Sequence, residues 1–157
     1  MDRENIGMLL AVAAAHGTSA ANHALRTAPG VVADLDARAY SVLEQAILRD
    51  GPSQRELAEL LRLDPSQIVA LVDGLQAKGL VERRRDPADR RRYAVVATTA
   101  GQHTYAVGRV RIEGSLDDLL ADLDPAERAT LHDLLHRIVR PVEARAVEVP
   151  SAEARTV

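Results

Sequence analysis

Hydrophobic positions along this 157-residue chain follow a helical period in six blocks, with a short strand-like interruption between the fourth and the fifth that arginines crowd. From residue 4 to about 27, Ile6, Leu9, Leu10, Ala13, Gly17, Ala20, Ala21, Ala24 and Leu25 recur at helical spacing, and Pro29-Gly30 stops the pattern. A second helix is predicted over 34–49, with Tyr40, Leu43 and Ile47 inward and Gly51-Pro52 as its stop. Ser53-Gln54-Arg55-Glu56 has the spacing of a capping box and opens a short helix to about residue 61. Asp64-Pro65-Ser66-Gln67 follows almost at once, with an Asp N-cap, a Pro where no helical amide is missed, and a Gln at the third position. The helix it opens buries Ile68, Leu71, Val72 and Leu75 at i, i+3, i+4 and i+7, and Gly79 supplies a left-handed end.

Two short β-prone runs then flank the turn Asp86-Pro87-Ala88-Asp89, which predicts a hairpin bearing Arg83, Arg84, Arg85, Arg90, Arg91 and Arg92. Thr99-Ala100-Gly101-Gln102 reads as a third capping box, opening a helix to about residue 122 that is interrupted or bent at Gly108 and Gly114. Asp124-Pro125-Ala126-Glu127 starts a last helix with Leu131, Leu134, Leu135, Ile138 and Val139 on its apolar face, and Pro141 kinks or ends it. From residue 147 the chain has little to bury, and a disordered tail is expected. The expected fold is mainly α with a small β-hairpin wing: a winged helix-turn-helix lobe at 31–99, an N-terminal helix at 1–30 and C-terminal helices at 100–146.

Opposite its buried stripe, the helix after Asp64 presents Ser66, Ala70, Asp73 and Ala77, flanked by Gln67 and Val69. If it enters a major groove, Ser66 and Gln67 meet base edges first. Gln can bond adenine in two places, and the methyls of Ala70 or Val69 can meet thymine. Wing arginines suit phosphates or a narrow minor groove. The DNA-facing set expected from this layout is Ser53, Gln54, Pro65, Ser66, Gln67, Val69, Ala70, Arg83, Arg84, Arg90 and Arg91.

These residues resemble the MarR-type transcriptional regulators. The resemblance rests on the Asp86-Pro87, Asp89-Arg90-Arg91 turn, the Val95-Val96-Ala97-Thr98-Thr99 exit with Gly101, and the Leu71-Val72-Asp73, Leu75, Lys78-Gly79-Leu80-Val81 passage. It extends over nearly the whole chain, with long helices on both sides. It implies that Arg91 is the wing-tip arginine with Arg90 beside it, that 65–78 is the recognition helix, and that Asp73 braces wing arginines. The chain departs from the family pattern at Ala70 and Gly74, where Arg is frequent.

Charge fits this reading only modestly. Residues 53–92 carry nine basic and seven acidic side chains, a net of +2, while the remainder carries −5. The asymmetry favours nucleic acid, the wing supplies most of it, and moderate, strongly salt-dependent affinity is expected. The core must be aliphatic, because Phe and Trp are absent and Tyr occurs three times. Lack of Cys excludes disulfides, thiolate metal sites and thiol redox sensing. No leader-like segment or apolar run of bilayer length occurs, so a cytoplasmic protein without membrane contact is expected.

The outer helices carry more apolar surface than so small a lobe covers, which predicts a homodimer. The resemblance implies interleaved first and last helices, an inverted-repeat DNA operator, repression, and a small-molecule effector such as an aromatic acid or phenol. His16, His23 and Arg26 on the first helix and Tyr40 on the second are the candidate effector contacts. His132 and His136 have a metal-ligand spacing, yet without a third ligand they read as a solvated helix face. Asp117, Asp118, Asp122 and Asp124 read as a helix end and the next cap. No cofactor and no catalysis are expected: there is no glycine-rich phosphate loop and no nucleophile, base and acid set at a telling spacing. The competing reading is a winged-helix protein-interaction module without sequence-specific DNA binding, motivated by the uncharged Ala70 and Gly74.

Overall fold

The computed structural model describes residues 3–49, 51–85 and 93–139. Its elements are α1 (Arg3–Arg26), a 3-10 segment (Gly30–Asp34), α2 (Ala37–Leu48), α3 (Gln54–Leu61), α4 (Pro65–Ala77), β1 (Val81–Arg85), β2 (Tyr93–Ala97), α5 (Thr99–Leu119) and α6 (Pro125–Val139). No described helix is long and apolar enough to cross a membrane. The expected tail and Pro141 lie outside the described residues.

Residues 1–119 form one compact unit. Its core is built where the periodic stripes meet: Leu25, Val42, Leu43, Leu57, Ile68, Val72, Leu75, Leu80, Val81 and Val95 are sealed from solvent. Each such aliphatic side chain contributes about 1.5–3 kcal/mol on burial, enough to make these contacts the main driving force of the lobe. β1 and β2 pair antiparallel with Val81 opposite Ala97, Arg83 opposite Val95 and Arg85 opposite Tyr93. A bridge from Ser53 to Ala94 joins the start of α3 to this hairpin.

Helix boundaries follow local chemistry with three corrections. α2 begins at Ala37, not at residue 34, because Val32 is buried by a 3-10 turn and Asp36 takes the N-cap, its carboxylate accepting from Ala39 N at 2.7 Å. The side-chain oxygen of Asn22, on α1, accepts from Ala37 N at 2.8 Å and ties the two helices together. α5 is capped by Thr98 rather than by Thr99: Thr98 Oγ1 accepts from Gly101 N at 3.0 Å and donates to Gly79 O at 2.7 Å. With Gly101 at the third position, the reciprocal box expected there does not form.

The third correction concerns Gly108 and Gly114, since α5 runs without interruption to Leu119. Gly108 is a packing residue: a Cβ there would lie 2.4 Å from Tyr40 Cε2. Gly101 likewise lets the first turn press on β1, since its Cβ would lie 2.1 Å from Leu80 O.

Residues 120–157 form a second unit, in which α6 is described. Asp124 Oδ1 accepts from Ala126 N at 2.7 Å and Glu127 N at 2.9 Å, while Glu127 Oε2 accepts from Asp124 N at 2.9 Å, a reciprocal cap at the expected helix start. Leu134, Leu135, Ile138 and Val139 are exposed on this helix.

The two α5 glycines give opposite expected outcomes. Gly108→Ala should lower unfolding free energy by about 1–3 kcal/mol through overpacking against Tyr40. Gly114→Ala, with open space around the added methyl, should be neutral or stabilising by about 0.5–1 kcal/mol. Equal urea midpoints for the two variants would contradict the packing role of Gly108.

Candidate nucleic-acid interface

α3 and α4 are joined by a turn of three residues, and both starts are chemically pinned. Ser53 N and Oγ donate to Glu56 Oε2 at 2.7 and 2.8 Å, and Glu56 N donates to Ser53 Oγ at 3.2 Å. Gln54 is half-buried, and its Nε2 is sealed from solvent without a hydrogen-bond partner among the described residues. At α4, Asp64 N donates to Gln67 Oε1 at 3.3 Å, so the Gln67 amide acts as a weak cap in this state. Arg62 closes α3 in a left-handed conformation at φ 53° and ψ 41°, its N–H donating to Ala58 O.

The outward face of α4 has the predicted composition. Pro65, Ser66, Gln67, Val69, Ala70, Asp73 and Ala77 are exposed, whereas Ile68, Val72 and Leu75 are buried. A cleft of about 210 Å³ opens between the start of α2 and this helix, with Ala70 and Gly74 on one wall and Asp34, Asp36 and Lys78 at its rim. Lys78 Nζ lies 3.9 Å from Asp34 Oδ2.

The hairpin is fastened to this helix by Arg83. Its guanidinium donates to Asp73 Oδ1 at 2.5 Å and to Gln76 Oε1 at 2.8 Å. Asp73 therefore braces a wing arginine, as the resemblance implied, and Gln76 is a second acceptor that the sequence reading missed because it lies one turn beyond the reading positions. Arg84 Nε donates to Glu82 Oε1 at 2.6 Å. Arg85 donates to Tyr93 Oη at 3.3 Å and lies over its ring. Arg90 and Arg91 fall outside the described residues.

Three of the four candidate effector residues share α1, and the fourth lies in the core. His16, His23 and Arg26 are exposed on α1, and Arg26 lines a surface hollow of about 510 Å³ with Asn22, Ser19 and Thr18. Neither histidine lines that hollow. Tyr40 is a core residue, 5% exposed, whose hydroxyl donates to Tyr105 O at 2.8 Å and whose ring stacks on Tyr105. Burial pushes its phenol above the ordinary value, with Tyr105 and Glu44 adding to the effect. Among the described residues no group of three or more His, Asp or Glu could hold a metal ion. His132 and His136 face one another with ring centroids 6.2 Å apart.

Beside Tyr105, which donates to Glu44 Oε1 at 3.4 Å, burial holds the Glu44 carboxyl above its usual 4.5 despite that hydrogen bond and the Arg109 charge. The folded protein thus keeps a proton on Glu44 where the unfolded chain has released it, and stability falls as pH rises from 4.5 through the folded value. Urea midpoints of wild type and Glu44→Gln should therefore shift in favour of the variant across that window. Parallel profiles would remove Glu44 from the linkage.

The chain is similar to known proteins in sequence and in fold. Residues 33–92 match the MarR family profile. A putative transcriptional regulatory protein for the hcr operon of Thauera aromatica is 38% identical over 101 residues, 64% of this chain and 61% of that protein, so the chain spans less than two thirds of that relative's length. A MarR-family transcriptional regulator from Rhodococcus sp. RHA1 superposes with a TM-score of 0.79 at 34% identity, covering 88% of this chain and 94% of the other. CouR from Rhodococcus jostii RHA1, solved bound to p-coumaroyl-CoA, superposes with a TM-score of 0.75 at 35% identity over 87% of this chain and 92% of its own. With its winged helix-turn-helix lobe and these relatives, the chain belongs to the MarR family, which is a family of transcriptional regulators and not of enzymes.

Proposed function

We propose that this chain is a ligand-responsive repressor that binds an inverted-repeat operator as a homodimer in the cytoplasm. The observation that carries the reading is the exposed face of α4 held beside an arginine-bearing hairpin through Arg83, Asp73 and Gln76. Ser66, Gln67, Val69 and Ala70 read bases. Arg84, Arg90 and Arg91 supply phosphate or minor-groove contacts, with Ser53, Gln54 and Pro65 at the helix starts nearby.

Exposed Ile6, Leu9, Leu10 and Val12 on α1, Val110 on α5, and Leu134, Leu135, Ile138 and Val139 on α6 support residues 1–30 and 100–146 as the dimer-forming parts. A two-fold dimer puts its two reading helices about one DNA turn, roughly 34 Å, apart. The p-coumaroyl-CoA bound to CouR supports an aromatic acid or its thioester as the effector class. Such a ligand acts only through different affinities for the DNA-competent and DNA-incompetent spacings. The second reading, a protein-interaction module, draws on α4 itself, since Lys78 is its neighbouring cation and Asp34 faces it.

Selection of bound sequences from a random duplex pool separates the two. Wild type should enrich an inverted repeat with half-sites about one turn apart, and Arg90→Ala combined with Arg91→Ala should lose it. Enrichment of nothing at moderate salt would turn the assignment to the interaction module.

A further inference from the structure

We infer that Arg62, in the turn between α3 and α4, is a DNA-phosphate contact that anchors the reading helix. The inference rests on the DNA-binding reading above. Arg62 is the one non-glycine residue with positive φ among those described. Glycine adopts that conformation freely, whereas a Cβ crowds the neighbouring carbonyl. The fold alone therefore favours glycine at this position, and the arginine serves something other than the fold.

The state of its guanidinium points to what that is. Every other described cation of residues 51–85 is engaged: Arg55 with Glu59, Lys78 with Asp34, Arg83 with Asp73, Arg84 with Glu82, and Arg85 with the Tyr93 hydroxyl. Arg62 is exposed and, among the described residues, its guanidinium has neither a hydrogen bond nor an ion pair. It stands two residues before Asp64, the N-cap of α4. In a helix-turn-helix the start of the reading helix enters the groove, so side chains just before it lie beside the phosphates. A guanidinium without a protein partner can meet a phosphate and release counterions with no ion pair to break first.

The test uses the full chain and a mixed-sequence duplex of about 30 base pairs, because a phosphate contact carries no sequence information. Arg62→Gly and Arg62→Asn both accept a left-handed backbone, so their melting temperatures should equal or exceed that of wild type. Their affinity at about 0.1 M salt should fall about eightfold per lost contact, and the slope of log affinity against log salt should shrink by about 0.9 per contact. Arg38→Gln, which removes an exposed charge on α2, should leave both quantities unchanged. Stable Arg62 variants that bind like wild type, or an equal loss in Arg38→Gln, would overturn the assignment. Failure of wild type itself to bind the duplex at low salt would overturn the DNA-binding reading and this inference together.

Discussion

The close approach of Thr98 and Gly101 to the Gly79-Leu80 segment is the constraint on which the reading lobe depends. Thr98 N and Oγ1 reach Leu80 O and Gly79 O, and the same Oγ1 caps α5 through Gly101 N. Gly79 ends α4 at φ 70°, β1 leaves from Leu80, β2 arrives at Ala97 and α5 departs from Thr99. One hydroxyl thereby satisfies backbone groups of both the α4–β1 turn and the first turn of α5. The hairpin is held at its root by this junction and farther along β2 by the Ser53–Ala94 bridge.

Electrostatics is layered on that frame and is individually weak. The lobe's exposed ion pairs are each worth about 0–1 kcal/mol, so they place side chains without contributing much to stability. Arg83 differs because its side chain is only 23% exposed and has two acceptors on α4. It orients the hairpin against the reading helix, whereas Arg84 is more open and its partner Glu82 sits on its own strand.

What was legible beforehand was local. The box at Ser53 and the helix starts at Pro65 and Asp124 depend on residues close in sequence and formed as expected, as did the stripe of Ile68, Val72 and Leu75. The cap of α5 slipped by one because Thr98 and Thr99 have equal local chemistry, and the contact with Gly79 O chooses between them. Gly108 looked like a helix break because its partner, the Tyr40 ring, comes from a distant part of the chain. For the same reason Tyr40 looked available to a ligand, while its hydroxyl is satisfied by a carbonyl 65 residues away. Arg62 gave no signal, since a left-handed arginine cannot be told from a helical one by periodicity.

Gly101 and Gly108 lie seven residues apart, hence on one face of α5, and both are sites where backbone meets the lobe directly. Each glycine weakens the helix by roughly 0.5–1 kcal/mol relative to alanine when it stands alone, and most helical stability in proteins comes from tertiary packing rather than propensity. The two residues that let α5 sit against Leu80 and Tyr40 are thus also the ones that weaken it as a free helix. What the segment gives up in intrinsic helicity it recovers through the platform that those glycines let it reach.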